Sequence, residues 1–402
     1  MPAFVQDKEI KGGTLALPDL RAFALADGAG FVRSVRESVD SGKLALSQLD
    51  LRSLYQFFAD VDVRYTAPAG MGLTRSVNTS AFPVLLGSTM VAALNAEYEA
   101  IKTIGENLVT EMRDARKLTT VARIAATDNH VEEVKEGENF PEIGATEDYV
   151  TIGHRKNGRK LTVTKEMVME NDTPGIMMRI NKVAEFLRYS KEILTLKRVT
   201  DYHGSKTSAE APYVYKPAGS GTSLFSTTAN TPGTRAPSGT RIASNALVNE
   251  TDVDNARLVL AAMKDDNGRR LMFSWSDVIL LVPYTLSGVA AKILGSELVP
   301  GVVNEIANYG PRGPWAMPMT RMLTSNLLDD LSTSAWYLGA FKKQFIRKTK
   351  ADLELVTLGQ NTQAYLDSEV AFQARASEDV EVGATDYVYV VQNLSGSSAP
   401  GD

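Results

Sequence analysis

Residues 131–202 read VEEVKEGENFPEIGATEDYVTIGHRKNGRKLTVTKEMVMENDTPGIMMRINKVAEFLRYSKEILTLKRVTDY: an acid- and glycine-rich half, then one long amphipathic run. The first half has too little apolar bulk for a core of its own. Tyr149-Val150-Thr151-Ile152 and Leu161-Thr162-Val163-Thr164 alternate as strands do. Between them, Lys156-Asn157-Gly158-Arg159-Lys160 carries the Asn-Gly pair that suits a type I′ hairpin turn. The predicted unit is therefore a two-stranded arm. A lone hairpin is marginal in water, so it must lie on its own chain or find another. Composition leaves both readings open: an ordinary surface hairpin, or a projecting arm ordered by an adjacent copy.

The second half predicts a helix over 174–202. Asp172 or Thr173 can cap it, and Pro174 fits its first turn, where a missing N–H costs nothing. Met177, Ile180, Ala184, Leu187 and Leu194 mark a buried stripe, while Lys182, Glu185, Arg188, Lys191 and Lys197 fall at wetter positions. At about 1.5 Å per residue it spans on the order of 40 Å, the length of a spine.

Working outward, Thr79–Lys117 carries Met90, Leu94, Tyr98, Ile101, Ile104 and Leu108 at three- and four-residue steps, which predicts a first long helix weakened by Gly87 and Gly105. Val121–His130 reads as a strand or extended arm. Residues 204–249 are rich in Ser, Thr, Gly and Pro, and a loop of that length is unusual in a compact domain. A helix capped by Thr251 or Asp252 is expected to close at Asn267-Gly268. Val278–Val282 reads as a buried strand ended by Pro283, and Tyr284–Leu294 as a second helix. Asn308–Pro318 is a proline–glycine loop. Trp336–Leu338, Leu353–Leu358, Val370–Arg375 and Tyr387–Val391 then read as strands. Arm, long helix, mixed elements and a run of strands make an α+β pattern.

Composition excludes several chemistries. The 402-residue chain has no cysteine and only three histidines, His130, His154 and His203, at unrelated spacings. Thiolate metal sites and disulfides are ruled out, and a histidine site would need tertiary convergence. No phosphate-binding, dinucleotide-binding, nucleophile-elbow or HExxH motif is present. No catalytic, cofactor-binding or metal residue is assigned, and the chain is read as a non-enzyme. The net charge of −5 argues against tight phosphate binding as the main energetic term. The basic run Arg113 to Lys117, without interleaved aromatics, reads as a helix end offsetting its dipole. No apolar run is long enough to span a membrane.

Four segments in order resemble the tailed-phage major capsid proteins of the Hong Kong 97 fold. Val134-Lys135-Glu136-Gly137-Glu138 through Pro141 looks like the acidic start of that family's extended loop. Leu161–Glu166 followed by Asn171-Asp172 looks like the return strand entering the spine helix. Asp265-Asp266-Asn267-Gly268 and then Val278–Pro283 resemble the passage through the axial domain. Ala335–Leu338 resembles the strand that returns to the peripheral domain. The resemblance covers roughly 131–394.

It implies an N-terminal region over 1–130 and an extended loop over 131–165. It implies a peripheral domain over 166–212 and 337–402, and an axial domain over 213–336. It implies self-assembly into pentamers and hexamers of an icosahedral shell around double-stranded DNA, touched non-specifically. Portal, scaffolding and decoration proteins are the implied partners. The location is the virion, with assembly in the host cytoplasm. Subunit contacts are expected at Glu132, Glu133, Lys156, Asn157, Gly158, Arg159 and Lys160 on the arm, and at Tyr309, Pro311 and Arg312 near the capsomer axis. Some relatives join a loop lysine to an asparagine; Lys156 and Lys160 lie in the right region, but no partner motif is visible, so no crosslink is expected. The N-terminal region is expected to be a retained arm lacing subunits together. An encapsulin-type shell, and a soluble hydrolase with a lid at 204–249, are the alternatives.

Overall fold

The computed structural model describes residues 90, 93–126, 136, 145–164, 167, 170, 173–202, 224–227, 235–272, 274–294, 321–358 and 370–396. The chain divides into two compact units. One comprises residues 1–102, 156–190 and 351–379; the other comprises 103–155, 191–350 and 380–402. The architecture is α+β, as the order of sequence patterns predicted.

Helix α1 covers 93–100, and the predicted long helix stops there. A separate turn of helix, α2 (Gly105–Leu108), follows, and Val109 is already extended before strand β1 (Thr110–Arg113). The break has a distant cause. The Glu192 carboxylate accepts from the backbone N–H groups of Ile104 (3.1 Å) and Gly105 (3.0 Å), starting a new helical turn at that point. A Cβ on residue 105 would lie 2.6 Å from Glu192 Oε2, so the glycine leaves room for the carboxylate in this position. Beyond it, Thr110 to Arg113 pair in parallel with Ile346 to Thr349 of β9 (Phe345–Leu358).

Strand β2 (Thr119–Ala126) pairs antiparallel with β3 (Ala145–Ile152), from Thr119↔Ile152 to Ala126↔Ala145. This is a correction to the expected arm. Its second strand is β3, but its first is β2, and residues 127–144 connect them. The Asn157-Gly158 pair makes no turn; it lies within strand β4 (Arg155–Thr164). There β4 forms one edge of a four-stranded sheet ordered β1-β9-β10-β4, with β10 running Val370–Ala384. A Cβ at Gly158 would meet the Ala376 carbonyl oxygen at 2.9 Å and Ser377 Cβ at 3.1 Å. The glycine serves close strand approach rather than turn geometry.

Helix α3 spans Thr173–Val199, close to the predicted bounds. Over 173–190 its buried side is Ile176, Ile180, Val183, Ala184 and Leu187, packed in the first unit with Met90, Leu94, Leu161 and Ala376 nearby. Three sequence assignments shift: Met177 and Leu194 are only half-buried, and Arg188 is buried.

The second unit holds a five-stranded sheet ordered β5-β11-β8-β6-β7: β5 (Arg241–Ile242), β11 (Val390–Asn393), β8 (Trp336–Gly339), β6 (Ile279–Pro283) and β7 (Arg321–Ser325). The outer pairs are parallel and the inner ones antiparallel. Every residue of β6 and β8 is buried, which matches their uninterrupted apolar sequences. Trp336 and Tyr337 anchor this core with Phe225, Phe341 and Phe345.

Helix α4 (Glu250–Ala261) is capped by Asn249, not by Thr251 or Asp252. Asp252 instead accepts from the Asn249 N–H, completing a capping box. Gly268 has the left-handed φ of +80° expected of it, but it closes the turn of the Lys264↔Arg270 bridge rather than ending the helix. Helix α5 (Ser287–Leu294) follows a 3-10 turn at Tyr284–Leu286, and α6 (Phe341–Gln344) leads into β9. Among residues 387–391, only 390 and 391 are strand.

Candidate assembly surfaces

The root of the β2–β3 arm is fixed by the second unit's own side chains. Val150 and Ile152 are buried there. Lys348, with 0% of its surface exposed, donates from Nζ to the carbonyl oxygens of Arg116 (2.6 Å) and Ile152 (3.4 Å). Burial pushes its ammonium pKa down. The tight turn before β2 is organised by Asp114, which accepts from the Arg116 backbone (2.9 Å), the Arg116 guanidinium and Thr119 Oγ1 (2.7 Å). Those bonds, the backbone one foremost, hold its carboxyl well below the usual range. Distal to this root the arm's strands pair only with each other among the described residues. Tyr149 stands exposed on one side of the hairpin.

In the first unit, β4 and α3 build a second surface. Met178, Arg179, Lys182, Glu185, Phe186 and Tyr189 are all exposed and recur at helical spacing along one stripe of α3, opposite its buried side. The Arg159 guanidinium lies 5.5 Å from the centre of the Phe186 ring, and Arg179 Nη1 donates to the Thr162 carbonyl oxygen (3.2 Å). These contacts bring the β4 edge and the helix stripe onto one face. Lys182 pairs with Glu185 at 2.6 Å. Lys156 and Lys160 are also exposed on β4, on alternate positions from Arg159.

Beneath that surface, Arg188 is only 8% exposed. Its guanidinium lies 4.4 Å from the Tyr98 ring centre, and its Nε donates to the Tyr98 carbonyl oxygen (2.9 Å). Tyr98 Oη in turn donates to Glu378 Oε2 (2.9 Å). Burial, then the Glu378 charge, push the phenol pKa far up, so Tyr98 stays a donor.

The second unit has equivalent internal pairs. Arg235 clasps Asp386 with two bonds of 2.9 Å, lies 3.2 Å from Asp266 and 5.2 Å from the Tyr387 ring centre. Arg347 is buried against Glu111, whose pKa it lowers chiefly through that hydrogen bond. Gln392 donates to Tyr337 Oη (3.2 Å) while Arg241 donates to its side-chain oxygen. These pairs tie separate segments of the second unit together. Among the described residues, no group of three or more His, Asp or Glu could hold a metal ion, and no helix is long and apolar enough to cross a membrane.

Of the residues expected at subunit contacts, Lys156, Asn157, Gly158, Arg159 and Lys160 lie together on β4. The arm that carries β2 and β3 does not include them. Glu132, Glu133, Tyr309, Pro311 and Arg312 lie outside the described residues. Sequence reasoning missed the Arg159–Phe186 pairing, the burial of Arg188 and the capping by Glu192. Only Arg188 had a local signal: it follows Leu187 directly and flanks the buried arc.

A profile of the phage capsid protein family matches residues 149–393. No curated protein sequence matches. Among solved structures, the chain is similar to the capsid of an empty GTA particle, with 13% identity, TM-score 0.46, and coverage of 74% of this chain and 91% of that one. It is also similar to the capsid of the cyanophage P-SCSP1u, with 14% identity, TM-score 0.45, and coverage of 73% and 88%. A virus-like particle from Pyrococcus furiosus matches with 13% identity, TM-score 0.41, and coverage of 75% and 96%. The family match defines the class, that of structural proteins that build viral shells. The chain belongs to the phage capsid protein family, and its role is that of a major capsid protein forming the shell of a phage head. The encapsulin alternative is not favoured, since the family match is to phage capsids.

Proposed function

We propose that many copies of this chain close into pentamers and hexamers of a Hong Kong 97-type icosahedral head around double-stranded DNA, assembled in the host cytoplasm. The observation that carries the reading is the β2–β3 arm within a phage capsid family chain: two strands with no third strand beside them among the described residues. Such an arm is marginal alone and gains its remaining contacts from a neighbour. Modest contacts repeated around each subunit add up by multivalency, and each stays weak enough to correct errors. Residues 213–336 are assigned to the axial domain, with Tyr309, Pro311 and Arg312 toward the capsomer centre. DNA is contained without sequence reading, in keeping with the acidic net charge of −5. Portal and scaffolding proteins are the partners such a head requires. The subunit does no covalent chemistry, and Lys156 and Lys160 form no crosslink.

Negative-stain microscopy and sedimentation of the purified chain test this directly. Shells, pentamers or hexamers are expected. A monodisperse monomer at high protein concentration, across salt and pH conditions, refutes the reading. A denaturant-resistant ladder from purified particles refutes the absence of a crosslink.

A further inference from the structure

Asn-Gly occurs twice in the chain, at Asn157-Gly158 and Asn267-Gly268, and both pairs are followed by arginine. An asparagine before glycine is especially open to attack on its own side chain, because the following residue has no Cβ to hinder its backbone nitrogen. The attack needs a backbone rotation at the asparagine that brings this nitrogen onto Cγ. What the fold must give up for that rotation differs between the two pairs.

Asn157-Gly158 lies within β4, which is paired with β10. The Ala376 carbonyl oxygen and Ser377 Cβ stand 2.9 Å and 3.1 Å from where a Cβ on Gly158 would be. Rotation there has to separate two strands. Asn267-Gly268 instead sits in the turn closed by the Lys264↔Arg270 bridge. Gly268 is exposed, with φ +80°, and nothing lies within 4 Å of where its Cβ would stand. Asp265 holds the flanks of the turn: its Oδ1 accepts from the backbone N–H groups of Asn267 (3.0 Å) and Arg269 (2.8 Å). The Gly268 N–H donates to the Asp265 carbonyl oxygen at 3.1 Å. Opening that bond releases the nucleophile while the strands of both sheets stay paired.

We propose that Asn267 is a self-modifying site, at which the folded chain converts asparagine to aspartate and isoaspartate, while Asn157 is protected by its sheet. A base in the solvent takes the Gly268 amide proton, and the nitrogen attacks Asn267 Cγ. The new C–N bond closes a cyclic imide, and the side-chain nitrogen takes up a proton and leaves as ammonia. Water then adds to either imide carbonyl and breaks one C–N bond. The product is aspartate or, with the backbone lengthened by a methylene, isoaspartate. Each event adds a negative charge beside Asp265 and Asp266, and Asp266 lies 3.2 Å from the Arg235 side chain. None of these steps requires a shell or a neighbouring copy.

The test is to incubate the purified chain in warm, mildly alkaline buffer and follow it by peptide mapping with mass spectrometry. The amide-to-acid mass gain at Asn267 should accumulate at least ~tenfold faster than at Asn157, since a turn opens at a lower free energy than a strand ladder. In guanidinium the two rates should become similar, because both sites then offer the same Asn-Gly-Arg to solvent. Gly268→Ala should slow the reaction at Asn267 at least ~tenfold by placing a Cβ beside the nucleophile, with Asn157 still unreacted as the sign that the variant is folded. Asn267→Gln keeps Gly268 and the turn, and should remove most of the chain's isoaspartate as counted by enzymatic methylation. No gain at Asn267 in the folded chain overturns the proposal. So do equal rates at the two sites before denaturation, a preference for Asn267 that persists in guanidinium, an undiminished rate in folded Gly268→Ala, or isoaspartate largely retained in Asn267→Gln.

Discussion

Replacing Asp386 by alanine removes more than one interaction at once. Arg235 loses a bidentate partner at 2.9 Å on both nitrogens, and the buried Tyr387 backbone N–H loses its acceptor at 2.7 Å. Stranding one partner of a buried pair costs about 3–5 kcal/mol. Asp266, 3.2 Å from Arg235 and partly exposed, retains some of the guanidinium's compensation, which places the pair loss near the lower bound. The unsatisfied amide adds about 1–3 kcal/mol. The expected total is therefore roughly 4–6 kcal/mol. With a urea slope of about 3 kcal/mol per molar, the second unit's midpoint should fall by more than about 1 M. Urea titration followed by Trp fluorescence reads this, because buried Trp336 lies in the same unit's core. The double variant Arg235→Met/Asp386→Asn separates the terms. It removes the stranded cation and keeps an acceptor for Tyr387, so it should recover at least half of the loss. A fall under about 1 kcal/mol in Asp386→Ala, or a double variant no better than the single, refutes the assignment of Arg235–Asp386 as a tie between segments of this unit.

Gly158→Ala should destabilise by about 1–3 kcal/mol, because its Cβ meets the backbone oxygen of Ala376 at 2.9 Å; hydrogen exchange on β4 should rise, and unchanged protection would count against the close approach. Arg188→Met should cost about 2–3 kcal/mol in thermal unfolding by removing the contact with the Tyr98 ring and carbonyl, whereas the exposed Lys182→Met should change stability by less than about 0.5 kcal/mol. Glu192 has its pKa raised by burial, so the folded state holds the proton more tightly than the unfolded one. Its contribution is full below the ordinary carboxylate range and is lost as pH rises through the raised value. Glu111 runs the other way: Arg347 lowers its pKa, so its contribution is present above the ordinary range and lost as pH falls. Urea midpoints against pH should lose the first dependence in Glu192→Gln and the second in Glu111→Gln, and unchanged profiles would contradict these assignments.

The features legible in sequence were those set by neighbours along the chain. Helix α3 could be read because Pro174 and a sustained 3.6-residue pattern agree over many turns. Strands β6 and β8 could be read because burial on both faces leaves uninterrupted apolar runs. The arm was recognisable by its lack of core-forming residues, but its strand partner was not. Asn157-Gly158 is a strong local turn signal, and it was outweighed by Ala376 and Ser377, more than two hundred positions along the chain, which need a residue without Cβ there. The end of α1 was hidden for a related reason: the carboxylate that starts α2 sits 88 residues from Ile104. Arg188 read as wet because long cationic side chains usually are; its stack on Tyr98 is a tertiary fact. For the assembly surfaces, composition identified the cations of β4 but not Phe186, the aromatic beside Arg159.

Two ion pairs among the described residues, Arg235–Asp386 and Arg347–Glu111, have deeply buried cations, as does Lys348 beside the arm root. Mobile ions reach such groups poorly, whereas charges on an open face are screened over about 10 Å at 0.1 M salt. Ionic strength should therefore act unevenly on the particle. Raising it should loosen the seams between copies while each copy keeps its fold, so concentrated salt would yield free, intact building blocks, and dilution would let them join again.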